Sequence, residues 1–278
     1  MTTTPLRLCL IGKGISRSPS AVMHQAAMLA SGIEGTYALR DLDASDLDAF
    51  TTELRAGRYT GCNVTTPYKA DMAARCDRLD GDAETLRVVN TVTVRGGRLI
   101  GMTTDGDGFE LALSEARMWP RQGATALVLG AGGAAAAVAL ALTRVPLLRL
   151  RIAARNPEAA ASLVQRLRGS GDIATVAWDQ DAIARAGAHG AIVVNATSAG
   201  LASLPFDPRA LPAAATVVDI RYRPRPVDVV GAALESGHSA TDGLEMLLQQ
   251  GLLSFAVWTG IAAPAGAVRN ALLGAVEA

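Results

Sequence analysis

Short apolar runs alternate along the chain with segments whose apolar positions recur at helical spacing. Each run is bounded by glycine or small polar residues, as is typical of strands in a sheet. The two-glycine turn at Gly96-Gly97 predicts a hairpin between flanking strands. In the first hundred residues we therefore predict strands at 7–11, 36–40, 61–64, 88–94 and 99–102, and helices at 21–31, 47–55 and 70–76.

Beyond residue 105 the pattern becomes a regular alternation of strands and helices. Such alternation predicts an α/β fold with a parallel sheet and helices on both faces. The change in character indicates a domain boundary near residues 105–108. We predict strands at 124–129, 148–153, 191–194 and 216–220, and helices at 109–117, 134–143, 159–167 and 244–278.

The 26 basic and 26 acidic side chains of this 278-residue chain balance. A surface that binds nucleic acid or anionic membrane would need a basic excess, so neither partner is expected. The uncharged stretch 122–143 is long enough to span a bilayer, but Gly130, Gly132 and Gly133 interrupt it. A turn there would expose backbone groups to lipid, so a strand followed by a buried helix is favoured.

The three cysteines, Cys9, Cys62 and Cys76, have no CxxC spacing and cannot all pair. Reduced structural thiols are therefore expected, and no metal site. Residues 1–9 contain no long apolar run after a basic head, so we expect no signal peptide. Together these features predict a cytoplasmic protein.

A glycine-rich turn stands between the predicted strand 124–129 and the helix after it. It fits G-x-G-x-x-A, in which one glycine permits a tight turn and the next lets a pyrophosphate approach the backbone. The helix N-terminus then faces the phosphate with free N–H groups. A plain tight turn is the alternative. The candidate cofactor-binding residues are Gly130, Ala131, Gly132, Gly133 and Ala134.

The strand that follows ends at Ala154-Arg155-Asn156, with no acidic residue before Glu158. A site for NAD usually has an acidic side chain there to hold the ribose 2′-hydroxyl. Arg155 could instead clamp a 2′-phosphate with its planar guanidinium. NADP is thus favoured over NAD, although an ordinary surface arginine is the alternative reading.

Lys69 follows a predicted buried strand and lies in a polar stretch of sequence. A free lysine has a pKa near 10.4, whereas burial lowers that value and a carboxylate neighbour raises it. A partnered lysine can be held charged and aimed at a carbonyl oxygen, and Asp105 is the candidate partner. Most lone lysines are merely solvated, but small hydrogen-bonding residues accompany this one: Asn63, Thr65, Asn90 and Thr91.

Over nearly its full length the sequence resembles shikimate dehydrogenases, whose motifs occur here in the family's order. The catalytic-lysine motif Asn-Val-Thr-x-Pro-x-Lys is at 63–69, Val-Asn-Thr at 89–91 and Thr-Asp-Gly at 104–106. The nucleotide turn follows, then Asn-Ala-Thr-Ser-x-Gly at 195–200 and Asp-x-x-Tyr-x-Pro at 219–224. The last motif runs from Asp242-Gly243 to Gln250.

The resemblance implies a substrate-binding domain of residues 1–105 and 243–278 and a Rossmann-type NADP-binding domain of 106–242, with the active site in the cleft between them. It implies NADP-dependent, reversible reduction of 3-dehydroshikimate to shikimate, with Lys69 and Asp105 as the catalytic pair. Expected substrate contacts are Thr65, Asn90, Tyr222, Gln250 and a serine pair. Further cofactor contacts are Asn195, Thr197 and Gly243.

The serine pair that would hold the substrate carboxylate can be placed in two ways. Matching the family's Ser-Pro selects Ser16 and Ser18 but requires a deletion and an insertion. Matching Gly12 and His24 needs no gap and selects Ser18 and Ser20, which we prefer. His24 itself is expected to be a packed, hydrogen-bonded histidine and not a catalyst.

Several residues differ from the family pattern. Lys13-Gly14 replaces Asn-Pro, Arg87-Val88 replaces Gly-Ala, Thr103 replaces Asn, and Val227-Asp228 stands where the family has Thr-Pro. These changes leave open a paralogue that oxidises quinate or an aminoshikimate-like polyol. A catalytically silent NADP-binding sensor is a further alternative. Either a monomer or a homodimer is expected.

Overall fold

The computed structural model describes residues 5–188, 192–211 and 215–277. Residues 1–4 and Ala191, which enter the predictions for the chain start and the strand at 191–194, lie outside these ranges. The chain forms two compact units, Met1–Thr104 with Leu248–Ala278, and Asp105–Leu247. The predicted limits of the substrate and cofactor domains, after residues 105 and 242, stay a prediction.

The first unit contains a mixed six-stranded sheet in the order β2-β1-β3-β5-β6-β4. Strand β5 runs antiparallel to both of its neighbours, and the other paired strands are parallel. The strands are β1 (Leu6–Gly12), β2 (Gly35–Asp41), β3 (Gly61–Val64), β4 (Arg78–Leu79), β5 (Thr91–Arg95) and β6 (Arg98–Met102). The helices are α1 (Ser20–Ala30), α2 (Leu47–Arg55), α3 (Lys69–Arg75) and α4 (Asp82–Leu86).

The predicted hairpin is confirmed, since β5 and β6 pair in antiparallel register across Gly96-Gly97. Residues 88–90, which were predicted as strand, instead precede β5. Strands β1 and β3 place Cys9 beside Cys62 in the middle of the apolar core. Both thiols are free and fully buried, and Cys76 is free and partly buried.

The second unit contains a fully parallel six-stranded sheet in the order β12-β11-β10-β7-β8-β9. Its strands are β7 (Thr125–Leu129), β8 (Arg149–Ala153), β9 (Ile173–Val176), β10 (Ile192–Asn195), β11 (Thr216–Asp219) and β12 (Ser239–Asp242). The helices are α5 (Asp105–Glu115), α6 (Gly133–Leu142), α7 (Pro157–Arg166), α8 (Gln180–Gly187) and α9 (Asp228–Glu235).

This strand order places the first strand of the unit, β7, between the second and the fourth strands. The chain therefore winds outward from β7 in one direction and then outward from β10 in the other. Their junction is the topological switch point of a doubly wound sheet. Ligands of such sheets bind at the carboxyl ends of the strands flanking this point.

The C-terminal region forms two helices, α10 (Leu244–Thr259) and α11 (Ala265–Glu277). The helical prediction for 244–278 is thus confirmed as far as the structure describes it, to residue 277, except for the interruption at 260–264. Gly260 has a positive φ of 76°, which ends α10, and Pro264 immediately precedes α11. Within the first unit, α11 packs against α1.

Candidate active site

The glycine turn joins β7 to α6 and uses its glycines in different ways. Gly130 has a φ of +118°, and a Cβ there would lie 2.9 Å from the carbonyl oxygen of Ala196. Gly132 has an ordinary φ of −76° and caps the N-terminus of α6. A Cβ on Gly132 would meet no atom within 4 Å. The first glycine is thus required by the turn, whereas the second leaves an open approach to the helix N-terminus.

The remaining residues of the predicted phosphate site follow from this turn. Ala131 lies between the two glycines, and Gly133 and Ala134 are the first two residues of α6. The backbone N–H groups of Gly133 and Ala134 belong to the first turn of the helix, where no intrahelical acceptor exists. Open backbone, N–H donors and the positive end of the helix dipole fit a dinucleotide pyrophosphate.

Asn195 and Thr197 lie directly beside the glycine turn, at the switch point of the sheet. Asn195 ends β10, which pairs with β7, and the Ala196 N–H donates to the Leu129 carbonyl at 2.8 Å. The buried Asn195 side chain accepts a hydrogen bond from the Thr197 hydroxyl at 2.7 Å. Both predicted cofactor residues therefore lie where the fold class binds its ligand.

Arg155 follows the carboxyl end of β8 and is exposed. The next residue, Asn156, caps α7 by accepting from the N–H groups of Glu158 and Ala159 at 2.9 and 3.1 Å. Asn156 is thus occupied in capping the helix, and Arg155 places an exposed guanidinium at this turn. A guanidinium here fits the 2′-phosphate of NADP.

Gly243 and Tyr222 come from the end of the second unit. The Gly243 N–H donates to the Arg221 carbonyl at 3.0 Å, and a Cβ on residue 243 would overlap the Ile220 carbonyl group. Close backbone packing alone therefore requires glycine here, a reason that sequence reasoning missed.

Burial raises the pKa of Tyr222, and the nearby Arg223 opposes that shift.

Asn90 and Gln250, the predicted hydroxyl binders, contact each other in the first unit. The Asn90 amide donates to Gln250 Oε1 at 3.1 Å and to the Thr104 hydroxyl at 2.9 Å. In return, the Thr104 N–H donates to Asn90 Oδ1 at 2.9 Å. The structure thus joins two residues that are 160 positions apart into one polar cluster.

Ser254 lies at the centre of this cluster and was missed by the sequence reasoning. It is fully buried, with its hydroxyl 2.7 Å from Thr91 Oγ1 and 3.1 Å from the Asn63 amide nitrogen. It also donates to the Gln250 carbonyl at 2.9 Å. Ser254 follows Gln250 by one helical turn on α10, and that spacing was the one available signal.

A second missed residue, Tyr37, binds the oxygen of the Asn63 side chain, whereas Ser254 binds its nitrogen. Its hydroxyl donates to Asn63 Oδ1 at 2.7 Å, and its ring stacks on His24 with centroids 4.5 Å apart. His24 is packed, as expected, but the expected hydrogen bond is wrong, because neither ring nitrogen has a partner among the described residues. Burial lowers its pKa to about 3, and the Asn63 amide only partly opposes that shift.

Ser18 and Ser20 approach each other at the N-terminus of α1. The Ser18 hydroxyl donates to Ser20 Oγ at 3.0 Å, and Ser20 is the first residue of the helix. No acidic side chain occupies the first turn of α1. Two adjacent hydroxyls at the positive end of a helix are suited to a carboxylate.

Thr65 and Lys69 follow β3. The Thr65 N–H donates to the Ile11 carbonyl at 2.9 Å, and the Thr65 methyl group leaves no room for a Cβ on Gly12. Lys69 begins α3, and its carbonyl accepts from the Val89 N–H at 3.0 Å. Asp105 is buried and begins α5 in the second unit. The pairing of Lys69 with Asp105 stays a prediction.

Two departures from the family pattern have different surroundings. Arg87 follows α4 in the left-handed conformation, with a φ of 54°, and is exposed. Thr103 is buried, and its hydroxyl has no hydrogen-bond partner in the described part of the chain. Of these two residues, Thr103 is the one whose side chain has a buried polar atom without a hydrogen-bond partner among the described residues.

Two features are absent from the ranges that the structure describes. No three or more His, Cys, Asp and Glu side chains come together as a group that could hold a metal ion. No helix there combines the length and apolar character needed to cross a bilayer.

Strand order and glycine turn define the second unit as a Rossmann-type dinucleotide-binding fold. Comparison with known families agrees. Residues 10–92 match the model for the shikimate dehydrogenase substrate binding domain, and residues 243–273 match that for the shikimate 5'-dehydrogenase C-terminal domain. The shikimate dehydrogenase (NADP(+)) of Rubrobacter xylanophilus is 43% identical over 270 residues, covering 95% of this chain and 94% of that protein. The chain belongs to the shikimate dehydrogenase family.

Solved structures give the same relationship. The shikimate 5-dehydrogenase of Thermus thermophilus, in complex with NADP(H) and shikimate, is 33% identical with a TM-score of 0.85. That alignment covers 97% of this chain and 99% of the other. The quinate dehydrogenase of Corynebacterium glutamicum, in complex with NAD, is 28% identical with a TM-score of 0.83, covering 97% and 99%. The predicted family and fold class are confirmed.

Proposed function

We propose that this protein is an NADP-dependent shikimate dehydrogenase, which reversibly reduces 3-dehydroshikimate to shikimate. The observation that carries the proposal is the 43% identity, over 95% of the chain, to an enzyme of that name. The polar cluster of Asn90 and Gln250 supports it, because paired amides can exchange hydrogen bonds with ring hydroxyls. The hydroxyls of the serine pair, Ser18 and Ser20 at the start of α1, are proposed to donate hydrogen bonds to the ring carboxylate.

The glycine turn and Arg155 fit NADP on the geometry described above. Gly132 leaves the pyrophosphate an open approach, and Arg155 is exposed at the end of β8. When bound, NADPH supplies a hydride to the ring carbonyl carbon. Asn195, Thr197 and Gly243 are proposed as further contacts to the cofactor, and Tyr222 as a further contact to the substrate.

Lys69 is proposed to donate its proton to the carbonyl oxygen as that oxygen becomes a hydroxyl, and to take it back in the oxidising direction. Asp105 is proposed to orient the ammonium group and to hold a neighbouring hydroxyl. General acid catalysis of this kind contributes a factor of about 10² to 10⁴. We propose residues 1–105 with 243–278 as the substrate domain and 106–242 as the NADP domain.

Quinate oxidation is the second candidate function. The buried Thr103 hydroxyl favours it, because an unsatisfied donor could recognise one more hydroxyl on the substrate. The similarity to a quinate dehydrogenase adds support. A cytoplasmic location and a monomeric or homodimeric state complete the proposal, the former motivated by three free thiols.

Initial rates with a panel of substrates and cofactors test the proposal. Shikimate, quinate and an amino analogue are each offered with NADP⁺ and with NAD⁺, and 3-dehydroshikimate with NADPH. We expect the highest kcat/KM for shikimate with NADP⁺. A preference for quinate would establish the second candidate. If the protein binds NADPH but turns over none of these compounds, a catalytically silent sensor replaces both.

A further inference from the structure

The segment Asn195–Leu201 is held at its beginning by a buried amide. Asn195 Nδ2 donates to Asp219 Oδ2 at 2.9 Å and to the Ala199 carbonyl at 3.0 Å. The Thr197 hydroxyl in turn accepts from the Ala199 N–H at 3.1 Å. These bonds fold the segment into a compact loop fixed to the end of β11.

The other end of the segment is held by Asp228 at the start of α9. The Leu201 N–H donates to Asp228 Oδ2 at 2.8 Å. A Cβ on Gly200 would lie 2.7 Å from that same oxygen and 3.1 Å from Arg221 Nη1. The segment therefore lies in direct contact with both charged side chains.

Arg221 connects the two attachments. Its guanidinium donates to Asp219 Oδ2 at 2.7 Å and to Asp228 Oδ1 at 2.5 Å. Asp219 is fully buried and the Arg221 side chain is only 14% exposed. Burial by itself would raise the pKa of Asp228, but hydrogen bonds from Arg221 and from two backbone N–H groups hold it below its usual value.

The position of the segment matters because it adjoins the glycine turn. The Ala196 carbonyl oxygen lies only 2.9 Å from the position that a Cβ on Gly130 would take, and the Ala196 N–H is bonded to the last residue of β7. A shift of the segment would therefore move Asn195 and Thr197 relative to the turn. A displacement of 1 Å is enough to weaken a preorganised site.

We propose that Arg221 and Asp228 are positioning residues for NADP, which hold segment Asn195–Leu201 against the glycine turn. Neither is assigned a contact with the cofactor, and the inference rests on the proposed function. The family pattern has Thr-Pro where this chain has Val227-Asp228, so that pattern supplies no carboxylate at this point.

Two single variants test the inference. Asp228→Asn keeps the shape of the side chain but removes the charge that Arg221 binds. Arg221→Gln additionally leaves Asp219 buried without its cation, so Asp228→Asn is the milder change. The matched control is Asp207→Asn, because Asp207 and Arg209 form another arginine–carboxylate pair in the same unit, at 2.9 Å. NADPH affinity is measured by fluorescence titration, and KM and kcat by initial rates.

We expect Asp228→Asn to raise the Kd for NADPH and the KM for NADP⁺ about tenfold, within the range of couplings seen for contacting residues. The KM for shikimate should change less than twofold, and the control should match the wild type. Equal losses in every kinetic parameter, tracking a lower Tm, would mean a purely structural role and overturn the inference. So would an unchanged Kd.

The same titration separates this inference from the proposed function. A wild-type protein that binds NADPH but does not oxidise shikimate would defeat the proposed function, while the Asp228→Asn titration would still decide the positioning role. An active wild type with an unaffected variant would defeat the positioning role alone. A wild type that binds no NADPH would defeat both.

Discussion

Gly243 packs directly against the carbonyl group of Ile220, so that any side chain at position 243 would overlap the backbone. We expect Gly243→Ala to lower the free energy of unfolding by about 1–3 kcal/mol or more, since backbone cannot yield by changing rotamer. Urea unfolding curves measure the loss. An unchanged midpoint would show that the contact is relieved at little cost.

Gly231→Ala provides the matched control for this change. Gly231 lies within α9 in the same unit, and a Cβ there would meet no atom within 4 Å. Alanine is favoured over glycine in a helix by about 0.5–1 kcal/mol, so this variant should be as stable as the wild type or slightly more so.

Gly132→Ala should separate cofactor binding from folding. The added methyl group meets no protein atom and the φ of Gly132 suits alanine, so Tm should stay within about 2 °C of the wild type. The same methyl group would obstruct the pyrophosphate, and we expect the Kd for NADPH to rise at least about tenfold. Thermal unfolding and NADPH titration of the same preparation check both parts. Undiminished affinity would place the pyrophosphate elsewhere.

Lys69→Ala should reduce kcat for shikimate oxidation by a factor of about 10² to 10⁴, with the KM for shikimate nearly unchanged. Lys13→Ala is the control, because the sequence has only these two lysines and Lys13 forms an exposed ion pair with Asp43. Steady-state rates at saturating NADP⁺ measure the effect. Near-normal kcat in the Lys69 variant would remove the proton-donor role.

Ser254→Ala should weaken substrate binding through the side chains that Ser254 supports. Removing its hydroxyl takes a partner from the buried Asn63 amide and from Thr91, at a cost of about 1–3 kcal/mol in stability. Because Gln250 and Asn90 belong to the same cluster, the KM for shikimate should rise several-fold and the KM for NADP⁺ should not. Steady-state kinetics with each reactant varied in turn measure the difference.

Thr259→Val is the control for Ser254→Ala. The Thr259 hydroxyl donates to the Phe255 carbonyl at 2.8 Å, which is the same one-turn bond on the same helix, outside the polar cluster. A similar rise in the KM for shikimate in both variants would mean that a general loosening of α10 is responsible.

His24 should make the protein less stable as the pH falls below about 6.5. Burial lowers its pKa to about 3, so between these values the unfolded chain binds a proton that the folded chain does not. The contribution of the neutral His24 ring to the free energy of unfolding is therefore fully present above pH 6.5. It is lost as the pH falls toward 3, at up to about 1.4 kcal/mol per pH unit. Urea unfolding between pH 4.5 and 8 measures the slope.

His24→Phe keeps an aromatic ring against Tyr37 but cannot be protonated. Its stability should therefore decline less steeply with acid than that of the wild type. Parallel slopes for the two proteins would show that His24 does not control the acid response.

Local sequence patterns were sufficient where an element is long, apolar or sharply bounded. Helix α2 was predicted at 47–55 with the bounds observed, because its apolar residues repeat at helical spacing and Gly57 follows it. Strand β7 and its glycine turn were predicted together, since five buried apolar or small residues lead directly into Gly130. At both sites neighbouring residues alone carry the signal.

Most of the helices and strands that were not predicted are short or are only partly buried from solvent. Strand β4 has two residues, α4 has five, and no residue of β9 is fully buried. Strand β12 and helix α8 lack a long apolar run, whereas α9 contains one at residues 229–234 that the sequence reasoning missed. Such elements are stabilised by packing in the folded chain rather than by their own sequence, so periodicity alone does not detect them.

The polar cluster shows the same limit within the site. Asn90 and Gln250 were identified through family motifs, but Ser254 was not, because one of its partners in the cluster, Asn63, is 191 residues away. The contact of Ser254 with Asn63 is set by the topology of the folded chain. The ion pair of Arg221 and Asp228 spans only seven residues, but it forms where α9 begins after β11 and no periodic pattern announces it.

The buried thiols have a practical consequence. Cys9 and Cys62 are fully buried. The neighbouring Cys9 thiol, together with burial, raises the pKa of Cys62, and burial raises that of Cys76 to about 12. A thiolate is needed for alkylation, so all three should react slowly in the native protein. A single cysteine introduced at an exposed position could then carry a fluorescent label without removing the natural ones, and the onset of labelling at the natural thiols would report the opening of the first unit's core.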